Sequence, residues 1–268
     1  MILEEFLLAS RTGDLEKVKH IVENGADVNS KGSYNNTALI EATKYSHFEI
    51  VKYLVEHGAD VNAHSNENET ALIYGAKNGH LEIVKYLVEN GAGVVSTHTW
   101  NNKAVILASL YGFVDIVKFL IENGADVNAK GVWNDTPLIY ASENGQYEIV
   151  KYLVEHGADV NAKNQEHETG LMMATAAGHF EIVKYLISNG ADVNASNKEN
   201  ETALTWACLN GHLEIVKFLV EQGANVNARN NNNETAIILA SDNDHLEIVE
   251  FLVERGADLN AIKSEVVT

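Results

Sequence analysis

Histidine is the commonest metal ligand among side chains, and five histidines of this chain recur at one position of a regular pattern. If each lies on its own layer of helices, successive layers are about 10 Å apart, whereas zinc binds nitrogen at about 2.1 Å. We therefore interpret the five as structural residues at the start of a helix. The sequence predicts no metal site and no cofactor. The five residues are His47, His80, His179, His212 and His245.

Cys208 is the only cysteine, so the chain cannot form an internal disulfide. In other copies of the pattern its position holds Ala, Ser or Thr, as at Ala76 and Ser142. This variation indicates a small packing residue, because no histidine or acid is tied to the thiol as its base. We find no phosphate-binding glycine loop, no Cys-x-x-Cys and no carboxylate pair beyond those on solvent-facing helices. The chain is therefore predicted not to be an enzyme.

The charge is strongly acidic, with 38 Asp and Glu against 19 Lys and Arg and a formal net charge of −19. Such a surface repels nucleic acids and anionic lipids and favours basic partners, although it also simply keeps a monomer in solution. Glu4 and Glu5 stand where a secretion signal needs positive charge, and no apolar stretch approaches the ~18 residues that span a bilayer. We expect a cytoplasmic monomer that binds neither nucleic acid nor membrane.

A Gly-Ala pair returns every 33 residues without insertion or deletion. Residues 70–91 show the pattern: Thr70 is suited to cap a first helix that ends at Gly79, and a second helix follows His80 and ends at Gly91. Helices this short bury their apolar stripes only by stacking on neighbours. The glycines of the eight pairs are Gly25, Gly58, Gly91, Gly124, Gly157, Gly190, Gly223 and Gly256.

The repeat resembles the ankyrin repeat family over essentially the whole chain. The resemblance is carried by the period, by GADVNA at 58–63, by TPLI at 136–139 and by GHLEIVKYLVENGA at 79–92. The sequence departs from the family pattern where Pro survives only as Pro137 and where isoleucine replaces the usual histidine, as at Ile139. The resemblance implies an all-α solenoid of stacked helix-turn-helix units with short β-hairpin-like fingers.

The repeat phase predicts a single ankyrin-repeat domain over 1–268. Within it we expect an N-terminal capping repeat at 1–33, six internal repeats at 34–231, and a C-terminal capping repeat with a tail at 232–268.

Positions that differ between repeats are free to carry function, and the resemblance places a concave recognition surface on the fingers and on one side of the first helices. Exposed aromatic residues there would bury large areas on binding; alternatively, some of them fill gaps between layers. The predicted partner-binding residues are Tyr34, Glu41, Tyr45, Tyr74, Trp100, Leu107, Leu110, Tyr111, Trp133, Tyr140 and Trp206.

Two functions compete. The first is an intracellular protein–protein interaction module that binds a partner protein or peptide in its concave groove without catalysis. Its partner would be a basic and apolar segment, because later fingers carry Glu166 and Glu199 while Tyr34 and Trp133 occupy the same position in other repeats. The alternative is a structural or scaffold array, designed or excised from a larger protein, whose function lies outside this chain.

The segment 91–110 departs most from the pattern. Gly93 replaces Asp, Val95 replaces Asn and Lys103 replaces the capping Thr, a loss of about 1 kcal/mol for the cap alone. We expect this to be the weakest joint of the array, with the fastest hydrogen exchange, and also the centre of the binding surface.

Overall fold

The structure is a computed structural model, and it describes residues 2–94 and 102–258. By its internal contacts the chain divides into two compact units, Met1–Gly131 and Val132–Thr268. The described residues form sixteen α-helices in eight consecutive pairs, and a 3-10 turn at Ser33–Asn35. Within each unit, both members of a pair pack on the corresponding helices of the next pair. The all-α class and the stacking of helix pairs in sequence order are thus confirmed.

Each unit contains four pairs. The helices of the first unit are α1 (Ile2–Thr12), α2 (Leu15–Glu23), α3 (Ala38–Lys44), α4 (Phe48–Glu56), α5 (Ala71–Asn78), α6 (Leu81–Glu89), α7 (Lys103–Tyr111) and α8 (Val114–Glu122). Those of the second unit are α9 (Pro137–Glu143), α10 (Tyr147–Glu155), α11 (Gly170–Ala176), α12 (Phe180–Ser188), α13 (Ala203–Leu209), α14 (Leu213–Glu221), α15 (Ala236–Asp242) and α16 (Leu246–Glu254).

Threonine caps start most of the first helices, as the sequence predicts. Thr70, for example, lies in extended backbone, and its side chain accepts a hydrogen bond from the N–H of Ile73. After α1, two of the first helices lack this bond. Thr235 makes no side-chain cap bond to α15, and α7 begins one position early, at Lys103 itself, after an Asn102 that provides no cap.

The core is built by stacking, because helices of seven to nine residues are too short to be stable alone. The second helix of each pair after the first carries an Ile-Val-x-x-Leu stripe, such as Ile50, Val51 and Leu54 in α4. These side chains are almost completely buried except for Val249 in α16, which is half-buried. The first helix adds small residues, including Cys208, which is fully buried. Burial raises the pKa of the Cys208 thiol far above its ordinary value, which agrees with a packing role.

The recurring histidines join one repeat to the previous one. The Nε2 atom of His179 lies 3.0 Å from the backbone carbonyl of Glu143, to which it donates when Nε2 is protonated. The same ring covers Gly145, where an added Cβ would approach His179 to 2.7 Å. Gly145 also has a positive φ of 72°. These contacts place the histidines at the start of second helices in a structural role.

A second connection between repeats, which we call the asparagine clamp, uses the Asn that follows Gly-Ala-Asp-Val or, for Asn227, Gly-Ala-Asn-Val. In Asn194 the side-chain Nδ2 donates to the carbonyl of Gly223 at 3.1 Å, and Oδ1 accepts from the N–H of Asn225 at 2.8 Å. One side chain thereby holds two backbone groups of the next repeat. The clamp recurs at Asn29, Asn62, Asn161, Asn194 and Asn227. Val95 occupies the same sequence position, and its side chain has no amide group with which to form the clamp.

Candidate functional site

The fingers are the loops that connect one pair of helices to the next. Their bases close through single bridges such as Ser196 with Thr202, and Asn residues turn their tips in the left-handed region, with φ of 61° at Asn134. Backbone bonds also join successive fingers: the N–H of Gln165 donates to the carbonyl of Trp133 at 2.7 Å. Backbone contacts thus close the bases of some fingers and also link neighbouring fingers.

The structure exposes four of the predicted binding residues. Tyr34 and Trp133, at the tips of fingers, are 76% and 62% exposed. Tyr45 and Tyr111 are also exposed, at the ends of α3 and α7. Four others, Leu107, Leu110, Tyr140 and Trp206, are half-buried. Trp100 lies outside the described residues.

Glu41 and Tyr74 are buried, at 3% and 9% exposed, although helical geometry alone predicts that their position faces away from the core. The polar ends of both side chains contact residues just before their own helices, and Glu41 also contacts Arg11 of α1. One Glu41 oxygen accepts from Nδ2 of Asn36 at 2.8 Å, and the other lies 3.0 Å from Nε of Arg11. Their contribution to a binding surface is therefore indirect at most.

Tyr140 and Trp206, at the same position of other repeats, are anchored in a similar way. The Tyr140 hydroxyl donates to Asp135 at 3.3 Å, and Nε1 of Trp206 donates to Glu201 at 2.9 Å. Burial, with a smaller effect of Glu69, raises the pKa of Tyr74 to about 12. An acid five residues earlier thus lies beside each aromatic ring. The polar ends of the rings are thus held in place, and the half-buried rings of Tyr140 and Trp206 keep part of their surface for contact.

Acidic residues that precede the capping threonines form a row in the second unit. Its members are Asp135, Glu168, Glu201 and Glu234. Asn164 connects two of them, since its Nδ2 donates to Asp135 at 3.0 Å and to Glu168 at 2.8 Å. Asp135 is not among the binding residues predicted from the sequence, although the recurrence of acids just before the threonine is a signal that could have identified it.

Lys103 has a partner that the repeat pattern does not suggest. Its Nζ lies 2.6 Å from Oε1 of Glu69, whose side chain is 5% exposed. Burial alone would raise the pKa of Glu69, but the hydrogen bond and charge of Lys103 outweigh it, and the pKa is lowered. The missing cap is confirmed, yet the residue that replaces it forms an ion pair with the preceding finger.

Among the pockets of the described residues, two open between fingers and first helices at corresponding places of the two units. The unit-1 pocket has a volume of about 250 Å³ and the unit-2 pocket about 280 Å³. The unit-1 pocket is lined by Tyr34, Asn36, Lys44, Ser65, Glu67 and Tyr74. The unit-2 pocket is lined by Trp133, Asp135, Tyr140, Glu143, Asn164, Gln165, Glu166, Glu168 and Met173. Leu110, which holds the same repeat position as Lys44 and Glu143, was predicted from the sequence to bind the partner, whereas Lys44 and Glu143 were not.

Paired short helices, capped by threonine and joined by finger loops, define a helical repeat protein. Family models described as "Ankyrin repeats (3 copies)" match residues 6–98, 93–164 and 171–263, and one described as "Ankyrin repeats (many copies)" matches residues 144–187. The chain belongs to the ankyrin repeat family. A comparison with curated proteins found no match.

Ankyrin repeats are generally protein–protein interaction modules, and proteins built from them are typically non-catalytic. In the part of the chain that the structure describes, no helix has both the length and the apolar character needed to cross a bilayer.

Proposed function

We propose that this chain binds an extended basic and apolar segment of another protein along the finger side of its repeats. The observation that carries the proposal is Trp133, a large apolar side chain that is 62% exposed on a finger whose backbone accepts one hydrogen bond from the next finger. A tryptophan side chain has only two torsions to fix, so it loses little conformational entropy on binding, and tryptophan is among the residue types enriched at binding hot spots.

Charge supports a basic partner. The formal net charge is −19, and the second unit places Asp135, Glu166 and Glu168 around the pocket beside Trp133. Complementary charge on a partner would speed association and exclude acidic competitors. Tyr34, Tyr45 and Tyr111 expose aromatic surface in the first unit, which offers contacts of its own to such a segment.

The test is a selection of short random peptides on the immobilised chain, followed by calorimetry with purified peptides. We expect the selected peptides to combine Lys or Arg with apolar residues. Trp133→Ala should weaken their binding by about 30-fold, which corresponds to ~2 kcal/mol for a hot-spot residue.

Tyr147→Ala is the matched control. Tyr147 is also exposed and aromatic, but it begins α10, a second helix, and pairs with Tyr185. Its removal should leave peptide affinity within about twofold, since rim or distant contacts contribute little. Equal affinity of the wild type and Trp133→Ala, with both variants folded by circular dichroism, would contradict the proposal.

A further inference from the structure

The unit-1 and unit-2 pockets are copies of one another, three repeats apart in the sequence. Tyr34 corresponds to Trp133 at the finger tip, and Glu67 corresponds to Glu166 on the next finger. The charge of the lining differs at two corresponding positions: Lys44 at the end of α3 matches Glu143 at the end of α9, and Asn36 matches Asp135. The unit-2 pocket therefore lacks the lysine that the unit-1 pocket contains.

In the unit-1 pocket, Lys44 of the chain itself provides a cation at the end of the first helix. The Lys44 ammonium lies 4.1 Å from the centroid of the Tyr74 ring, a cation–π contact, and Glu67 lines the same pocket. The carboxylate beside it, Glu69, is neutralised by Lys103. Positive charge is thus already provided from within the fold.

The unit-2 pocket has the reverse charge. Glu143 replaces the lysine, and Asp135 and Glu168 lie close enough to act on it: burial raises the pKa of Glu143, and repulsion by these two carboxylates adds to the effect. Among the described residues, no Lys or Arg forms an ion pair with any of these three. Glu166 has one, Lys198 at 3.4 Å.

The walls of the unit-2 pocket suit the stem of a long side chain. Trp133 and Tyr140 present rings, and Met173 takes the place of Tyr74 as an apolar surface. The carboxylates of Asp135 and Glu168 are held in position by Asn164. An apolar stem with a charged end would contact the rings along its length and the acids at its tip.

We infer that the unit-2 pocket binds a lysine side chain of the partner segment, with its ammonium near the place that Lys44 occupies in the unit-1 pocket. This inference rests on the proposed function, because it takes the ligand to be part of a protein. It adds to that proposal the residue class that is recognised and the group that selects it, Glu143.

The experiment uses the full chain and two small probes, N-acetyl-lysine-N-methylamide and its uncharged counterpart N-acetyl-norleucine-N-methylamide. Binding is followed by the chemical shift of the Trp133 indole N–H, assigned with Trp133→Phe. We expect saturable shifts with the lysine probe and weaker ones with the norleucine probe. Glu143→Lys should weaken lysine binding by about tenfold or more and Glu143→Gln by about threefold, because an exposed charge pair contributes modestly.

Glu148→Lys is the matched control, because it makes the same change of charge at an exposed position of α10. It should leave binding within about twofold. In the converse variant, Lys44→Glu should let the unit-1 pocket bind the lysine probe and shift the amide signals of Tyr34 and Asn35.

Equal shifts with both probes, or equal weakening by Glu143→Lys and Glu148→Lys, would overturn the inference, as would the absence of any shift. If the lysine probe fails while Trp133→Ala still weakens the selected peptides, the proposed function stands without this inference. If no peptide can be selected while the lysine probe binds and the Glu143 variants weaken its binding, the pocket recognises lysine but the proposed binding of a peptide segment is wrong.

Discussion

Restoring the family's capping residue at position 103 is expected to destabilise this protein. By sequence alone, Lys103→Thr replaces an irregular residue with the consensus and adds a cap worth about 1 kcal/mol. The structure gives the opposite sign, because the same change removes the only ion-pair partner that Glu69 has among the described residues.

The magnitude follows from the burial of the two groups. The Glu69 side chain is 5% exposed and that of Lys103 is 30% exposed. Removing one partner of a fully buried pair costs about 3 to 5 kcal/mol, and partial access of water to Lys103 lowers this to about 2 to 3 kcal/mol. After the gain of the cap, the net loss in the free energy of unfolding is about 1 to 2 kcal/mol.

A double-mutant cycle with Glu69→Gln isolates the pair. Urea unfolding, with hydrogen exchange at the amides of α5 and α7 as a local measure, gives the stability of the four variants. In the Glu69→Gln background the threonine should stabilise by about 1 kcal/mol, so the coupling energy is about 2 to 3 kcal/mol. If Lys103→Thr is stabilising in the wild-type background as well, the ion pair contributes nothing and our reasoning fails.

The pH dependence provides an independent check. The folded-state pKa of Glu69 is lowered by Lys103, so its stabilisation is present above the unfolded-state pKa and is lost as the pH falls through the lowered value. The stability difference between the wild type and Lys103→Thr should therefore shrink as the pH falls from neutral to acidic. A difference that does not change with pH would mean that the Glu69 charge has no part in it.

Two further stability predictions concern the connections between repeats. Asn194→Ala should lower the free energy of unfolding by about 1 to 2 kcal/mol in urea, because it removes both bonds of one asparagine clamp; an unchanged midpoint would show that water replaces them fully. Gly178→Ala and Gly190→Ala both place alanine at positive φ, at about 1 to 2 kcal/mol each. Only at Gly178 would the new Cβ lie 2.8 Å from the ring of His212, so this variant should have the lower melting temperature by calorimetry, and equal melting temperatures would argue against the ring contact.

The sequence predicts the fold of this protein well because the residues that begin and end the helices recur in most repeats. Thr70 and Gly79 can be assigned to the two ends of a helix from local geometry, and the period assigns their counterparts in every repeat. Glu41 and Lys103 could not be placed in this way. Their positions depend on a polar partner elsewhere, Arg11 or Glu69, which only the stacking of repeats brings within reach.

In the candidate site, the repeat pattern likewise predicts the backbone but not the distribution of charge. A repeat fold keeps its backbone constant, so the pocket between fingers and first helix recurs with similar volume in both units. The charge of the residue at the end of the first helix decides which charge a ligand must bring. Lys44 places a cation over Tyr74 in the first unit, whereas Glu143 adds a further carboxylate to the pocket of the second unit. Changes of charge at two positions, Lys44 to Glu143 and Asn36 to Asp135, can therefore convert a pocket that contains its own cation into one that can bind a cation, without any change in the fold. Residues of opposite charge at one position of otherwise regular repeats are consequently the variation to examine first, ahead of exposed aromatic residues.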